Sequence, residues 1–261
     1  MKSSAQRVLA VAALAVVDLY RRRDMFVALI LAAVVVLPLL SFQFFGMSGI
    51  VRYLGEVTLL LVWIFSVAIG VGVAARQIQS EIESRTIFPL LAKPVKRAEI
   101  LLGKFLGAFA ATGSAVVLFY LCFLALFVLK GGGGVNWAIW GQALLFHLLF
   151  VLVLTALTLL VSLILTPSAT LTICTLVTGG MLLFGETLAG FAAKMPWFLA
   201  WLGWGVHALA PHMEFFDLRR QLVHGWPPVE LSVSLAVAGY ALCYSGVLLL
   251  FATVVFQRKK L

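Results

Sequence analysis

Residues able to take part in chemistry or recognition are concentrated in one polar stretch of an otherwise apolar chain. Residues 76–104 hold glutamates, a threonine and several basic residues, and the apolar pair Leu90-Leu91 lies between Pro89 and Pro94. Because prolines limit helices, the stretch predicts a short charged helix, a proline-bounded turn and a basic entry into the next helix. Two interpretations stay open: a solvated loop, or a docking element whose leucine pair fits an apolar pocket of a partner.

Ionisable side chains inside apolar runs form a second group of candidates, because such residues are costly in a membrane and often functional. Glu186, near the end of one run, could line a substrate path or pair with Lys194. His147, in the middle of another run, is the second candidate for such a path. A lone histidine there is more typical of a hydrogen bond to a neighbouring helix than of a ligand.

A third group lies close to the C-terminal apolar run and contains residue types that bind metals. Its spacing matches no known ligand pattern, so we expect no metal site. The group consists of His207, His212, Met213, Glu214 and His224.

Motifs that would define an enzyme are missing from the sequence. There is no G-x-S-x-G with a later histidine and no H-E-x-x-H, which intramembrane proteases of those types would need. Residues 131–134 are four glycines, but no Lys-Ser or Lys-Thr follows them, so they predict a flexible connection and not a phosphate-binding loop. We therefore expect no ATPase site in this chain.

The composition defines the class of protein that must position these residues. Of the 261 residues, 63% are hydrophobic and only 11% are charged, against about 25% charged in globular domains, and the mean hydropathy is +1.12. This excludes a soluble enzyme and a disordered chain, and the long continuous apolar runs argue against a β-barrel. We expect an all-α polytopic membrane protein with a single transmembrane domain over residues 1–261. Six runs are long enough to cross a membrane: about 26–45, 57–75, 105–129, 138–165, 170–190 and 233–256.

Two further helices are predicted outside the spans. Residues 5–23 combine an apolar run with basic residues that follow it, and they predict a helix on the membrane surface. Residues 197–210 are too short to cross and carry tryptophans at helical spacing. They predict an interfacial or re-entrant helix inside the outer loop 191–232.

The distribution of basic residues predicts the orientation. One side collects 14 of the 19 Lys and Arg residues, and it includes both termini and the 76–104 loop. The positive-inside rule places that side in the cytoplasm. Six of the seven tryptophans lie in or beside the outer loops, as expected for an aromatic belt. The net charge of +9 then indicates contact with anionic lipid and not with nucleic acid.

The polar loop resembles the signature of the ABC-2-type permeases, the membrane subunits of ATP-binding-cassette transporters. The resemblance is strongest to the branch that contains the copper-enzyme maturation permease. Span number, chain length, the N-terminal helix and the basic tail are also similar. The matching positions are Glu81, Glu83, Thr86, Leu90, Leu91, Pro94, Val95, Arg97, Glu99, Gly103 and Lys104.

The resemblance implies a transport subunit, an exporter in a bacterial inner membrane, that is driven by a separate ATPase chain and pairs with a second permease copy. ATP and magnesium would be bound by the partner ATPase, and no cofactor by this chain. A coupling helix over 76–95 would contact the ATPase, and Gly103 would allow close helix approach. The implied contact residues are Glu81, Glu83, Thr86, Leu90, Leu91, Pro94 and Arg97.

Two other functions compete with this interpretation. A secondary transporter would usually show inverted repeats and charged, broken central spans, and neither is evident in the sequence. A membrane scaffold or assembly subunit is compatible with everything above except the resemblance. Co-purification of an ATPase would separate the permease from both.

Overall fold

The computed structural model describes residues 4–21, 30, 48–83, 96–129, 136–194 and 196–259. Helices are the regular elements throughout these ranges. They are α1 (Ser4–Arg21), α2 (Ser48–Glu83), α3 (Arg97–Leu129), α4 (Trp137–Ile164), α5 (Pro167–Lys194), α6 (Trp197–Leu209), a 3₁₀ helix (Met213–Phe216), α7 (Arg219–His224) and α8 (Leu231–Arg258).

Five of the described helices are long and apolar enough to cross a membrane, and they correspond to the last five of the six predicted spans. The qualifying segments lie in α2, α3, α4, α5 and α8, and they are Gly55–Gln79, Arg97–Ala125, Trp137–Ile164, Pro167–Gly185 and Leu231–Arg258. The predicted first span, 26–45, lies outside the described residues apart from Ile30. The prediction of an all-helical membrane protein is confirmed, and the number six stays a prediction.

Local sequence explains where several helices begin and end. Asn136 caps α4 because its side chain accepts a hydrogen bond from the Ala138 amide. Helix α4 ends before Leu165 and Thr166, and α5 starts at Pro167. Proline is tolerated at a first helical position because the amide there has no acceptor within the helix. Gly225 ends α7 with a φ of 64°, the left-handed conformation that glycine adopts most readily.

The centre of the bundle is α4, which packs against α2, α3, α5 and α8. Phe150 and Leu154 of α4 are completely buried, and Trp63 and Leu59 of α2 pack in the same core. Trp140 also lies in this core, against Phe123 and Phe127 of α3. Trp140 is one of the six tryptophans predicted for an outer aromatic belt, but its ring fills the space between α3 and α4 and does not face lipid.

Helix α1 lies along α3, and small residues make the contact close. An added Cβ at Gly103 would lie 2.6 Å from Val11 Cβ, and one at Gly107 would lie 2.5 Å from Ala15 Cβ. Val11 and Ala15 are buried by this contact, whereas Leu14 on the other face is 64% exposed. Both faces of α1 are thus apolar, and only one of them is covered by protein.

The connection between α5 and α8 is folded and is partly built into the core. Helix α6 packs on α5, and the 3₁₀ helix and α7 pack against α2, α4 and α5. Met213, Phe216, Leu218 and Leu222 are buried there with the core residues of the spans. A segment predicted as an outer loop therefore contributes apolar side chains to the bundle interior.

Candidate functional site

The candidate site is the end of the bundle from which the connection 84–95 leaves, which we call the loop end. Helix α2 arrives there and α3 departs, and α4 and α8 also terminate there. The apolar segment of α2 ends at Gln79, and the helix continues for one more turn to Glu83. Of the predicted contact residues, Glu81 and Glu83 lie in this last turn, with side chains outside the described set. Thr86, Leu90, Leu91 and Pro94 lie outside the described residues altogether.

Glu99 holds the start of α3 in place. Its Oε2 accepts a hydrogen bond from the Lys96 amide at 3.1 Å, which is the carboxylate half of a capping box. Its Oε1 accepts hydrogen bonds from Ser4 Oγ and, at 2.8 Å, from Arg7 Nη2 of α1. One buried carboxylate therefore fixes both the first turn of α3 and the position of α1.

Arg97 connects the start of α3 to the end of α8. Its Nη1 donates to the carbonyl oxygens of Phe256, Gln257 and Lys259 at 2.9, 3.2 and 3.0 Å. The guanidinium carbon also lies 5.8 Å from the centre of the Phe256 ring. The last carbonyls of a helix have no partner within the helix, and a cation is favourable at that end of the helix dipole.

Gln79 makes the corresponding connection from α2 to the end of α4. Its Nε2 donates to the carbonyl oxygens of Ser162 and Leu165, both at 2.7 Å. Lys259 Nζ donates to the Leu163 carbonyl at 3.0 Å and so joins the ends of α8 and α4. The helices on either side of the connection 84–95 are thus each bonded to the terminal carbonyls of a different span.

The roles of Gln79 and Glu99 were not predicted from the sequence, and Arg97 was predicted only as a contact for a partner. For Glu99 a signal existed, since a glutamate three residues after the N-cap position, here Lys96, is half of a capping box. For Gln79 and Arg97 there was none, because their acceptors are backbone carbonyls more than 80 residues away.

His147 lies in a polar cluster at the centre of the bundle, completely buried. Its Nε2 is 2.8 Å from Ser66 Oγ of α2, and its Nδ1 is 3.4 Å from the Tyr120 hydroxyl of α3. Ser66 donates its own proton to the Trp63 carbonyl, so His147 Nε2 is the donor to Ser66. The single proton of the Tyr120 hydroxyl is shared between two acceptors at the same distance, His147 Nδ1 and the Ala143 carbonyl oxygen, both 3.4 Å away. The imidazole therefore joins three spans.

Charged residues of the connection between α5 and α8 lie next to this cluster, on the side of Trp63. Asp217 accepts hydrogen bonds from the Arg219 amide at 3.0 Å and from Arg219 Nε at 2.8 Å. The Arg219 guanidinium carbon is 5.3 Å from the Trp63 ring centre, a cation–π distance. Trp63 in turn contacts His147, with ring centres 4.5 Å apart. The connection is thus fixed to the central cluster through Trp63.

The histidine-rich group is only partly brought together. His212 Nδ1 is 2.9 Å from Glu214 Oε1, and the His207 and His212 ring centres are 4.6 Å apart. Glu214 lies directly against Gly185 of α5, where an added Cβ would be 2.3 Å from its Oε2. His224 is elsewhere, 3.6 Å from Glu56. Within the described part of the chain, no three His, Cys, Asp or Glu residues are arranged to hold a metal ion.

Glu186, the remaining candidate, lies in α5 one residue beyond Gly185. Its side chain is outside the described set, and its pairing with Lys194 stays a prediction.

These features define a multi-pass helical membrane protein. It has several apolar spans, a folded connection that enters the bundle, and a polar end where two helices flank the connection 84–95. The chain matches the family model described as ABC-2 family transporter protein over residues 4–261, and it belongs to that family. The family supplies the membrane component of ABC transporters, which works with an ATPase and is generally not itself catalytic. A comparison with curated proteins found no match. The family predicted from the loop motif is thereby confirmed, and the branch within it stays a prediction.

Proposed function

We propose that this protein is the permease subunit of an ABC exporter and is driven by a separate ATPase chain that docks on the connection 84–95. The match to the family over residues 4–261 carries this proposal. The loop end supports it, since the helices that flank the connection are bonded to α4 and α8 and a displacement there would reach the spans.

The proposed docking surface consists of the connection and the end of α2 that leads into it. It combines acidic residues at the end of α2 with the apolar leucine pair between prolines. Its residues are Glu81, Glu83, Thr86, Leu90, Leu91 and Pro94. Arg97, which the resemblance also implies as a contact, is left out of this surface because its guanidinium is bonded to the end of α8.

We further propose that the loop end faces the cytoplasm of a bacterial cell, that the protein lies in the inner membrane, and that two copies form the functional unit. The excess of Lys and Arg on the loop-end side supports the orientation. ATP and magnesium belong to the partner chain in this proposal, and this chain binds no cofactor. The exposed apolar face of α1, with Leu9, Leu14 and Val17 uncovered, fits a helix lying in the membrane surface.

Of the two candidates for a substrate path, we retain Glu186. Both ring nitrogens of His147 lie within reach of neighbouring spans and the ring is enclosed by aromatic side chains, which supports a role in helix association.

The test is to express the affinity-tagged chain in its native host and to measure ATP hydrolysis before and after separating whatever co-purifies. We expect an ATPase of the ABC type to co-purify, ATP turnover by the complex and none by the isolated chain. Sustained turnover by the isolated chain, or a native membrane preparation that yields no ATPase partner, would contradict the proposal.

A further inference from the structure

We propose that Gln79 and Arg97 are positioning residues that carry movement of the connection 84–95 separately to α4 and to α8. The inference rests on the proposed function, since it assumes that an ATPase moves this connection. It adds a route by which α4 and α8, which do not border the connection, would move when the connection moves.

The two residues lie on opposite sides of the connection and reach different helices. Gln79 is four residues before the end of α2, and its two acceptors include Leu165, the C-cap of α4. Arg97 is the first residue of α3, and its three acceptors include Lys259, the C-cap of α8. Each flank of the connection thus has its own partner helix.

The chemistry of the contacts suits the transfer of movement. The acceptors are backbone carbonyls, so the bonds follow the position of the helix itself and not that of a mobile side chain. Arg97 bonds several carbonyls at once with a charged donor, and such bonds are stronger than neutral ones. Lys259 bonds the end of α4, which couples the two receiving helices to each other.

The experiment uses the complex of the full-length chain with the ATPase that co-purifies with it, in a background where Cys122, Cys174 and Cys243 are replaced. One spin label replaces Trp226, which is exposed at the end opposite the loop end, and a second replaces Ile164 on α4 or Val254 on α8, both exposed. Distances in each pair are compared between the nucleotide-free and the vanadate-trapped state.

In the wild-type background we expect both distances to shift between the two states. Arg97→Ala should reduce the shift of the Val254 pair more than that of the Ile164 pair, and Gln79→Leu, which has a similar size but no donor, should do the reverse. The double variant should lose both shifts while the ATPase remains bound. Arg97→Lys, which keeps a charged donor, should restore the Val254 shift in part.

Arg258→Ala is the matched control, because Arg258 is an exposed basic residue at the same end of α8 and takes no part in these bonds. The inference is overturned if the double variant shifts like the wild type, if Arg258→Ala reduces the shifts equally, or if neither wild-type distance responds to nucleotide. Loss of the bound ATPase in Arg97→Ala would also overturn it, since Arg97 would then act in docking. A wild-type chain that retains no ATPase would instead show that the proposed function has failed.

Discussion

His147 is fully buried in the middle of an apolar bundle, and the side chains around it explain why a polar ring is tolerated there. One ring nitrogen faces Ser66 and the other faces Tyr120, and the ring packs against Trp63 and Phe150. Burial of a polar ring without partners would be costly, and here both nitrogens have a partner on another span. From these contacts we predict a packing role for His147, which a phenylalanine could largely fill.

We predict that His147→Phe changes stability little, because a hydrogen bond between membrane helices contributes only about 0.6 kcal/mol on average. His147→Ala should be far more damaging, since removing a buried ring leaves a cavity that costs about 3–5 kcal/mol. Thermal unfolding of the purified variants in detergent measures both effects. If His147→Phe folded normally but abolished ATP turnover by the complex, His147 would be required for transport and not only for packing.

At the scale of elements, the contact between α1 and α3 depends on Gly103. A methyl group there would meet Val11 Cβ at 2.6 Å and the Val8 carbonyl oxygen at 3.0 Å. The carbonyl is part of the α1 backbone, so the helix itself would have to move. Glu99 holds the same two helices together one turn earlier, which leaves α1 little freedom to adjust.

We predict that Gly103→Ala lowers the unfolding temperature, although alanine is favoured over glycine in a helix by about 1 kcal/mol. Gly113→Ala on the same helix is the control, because its added methyl group would be at an ordinary 3.4 Å from Leu148, and it should be neutral or stabilising. Equal unfolding temperatures for the two variants would show that α1 does not need this close approach.

The elements that the sequence predicted best are those determined by long apolar runs. The last three spans and the helices Ser4–Arg21 and Trp197–Leu209 appear close to their predicted bounds, because burying about 20 apolar residues leaves few alternatives to a helix. Helix α2 extends well beyond its predicted span 57–75 at both ends, and α3 begins at Arg97 and not at 105, because a helix can continue into polar sequence outside the apolar run. The burial of Met213, Phe216 and Trp140 was missed. These residues lie in or next to a connection, and only the packing of distant helices decides whether such side chains face lipid, water or core.

The loop motif identified the family, and the docking residues that it implies stay a prediction. The bonds between helices at the loop end were not predictable from the sequence. The acceptors of Gln79 and Arg97 and the α1 partners of Glu99 are distant in sequence, so the residue types at these positions could not indicate them.

At the scale of the whole molecule, the loop end should face the cytoplasm and the glycine-rich connection at 131–134 the outside. We predict that Gly132→Cys reacts with an impermeant thiol reagent added to intact cells, and that Leu90→Cys reacts only after the membrane is opened. Both variants need a background without Cys122, Cys174 and Cys243. The reverse pattern would invert the topology and remove the basis for docking a cytoplasmic ATPase.

Docking of the ATPase on the connection 84–95 is tested by measuring how well the ATPase binds to a chain whose leucine pair is changed. Burying Leu90 and Leu91 would contribute roughly 3–6 kcal/mol by transfer estimates, reduced by the cost of association. Leu90→Asp with Leu91→Asp would instead place two charges in an apolar pocket. The matched control replaces both leucines by methionine, which keeps an apolar side chain of similar size.

The measurement is the amount of ATPase recovered with the tagged permease from native membranes, together with the thermal stability of the permease alone. We predict that the double Asp variant inserts and folds like the wild type but recovers no ATPase, and that the double Met variant recovers it normally. If the double Asp variant recovered as much ATPase as the wild type, with normal ATP turnover, the connection 84–95 would not be where the ATPase docks.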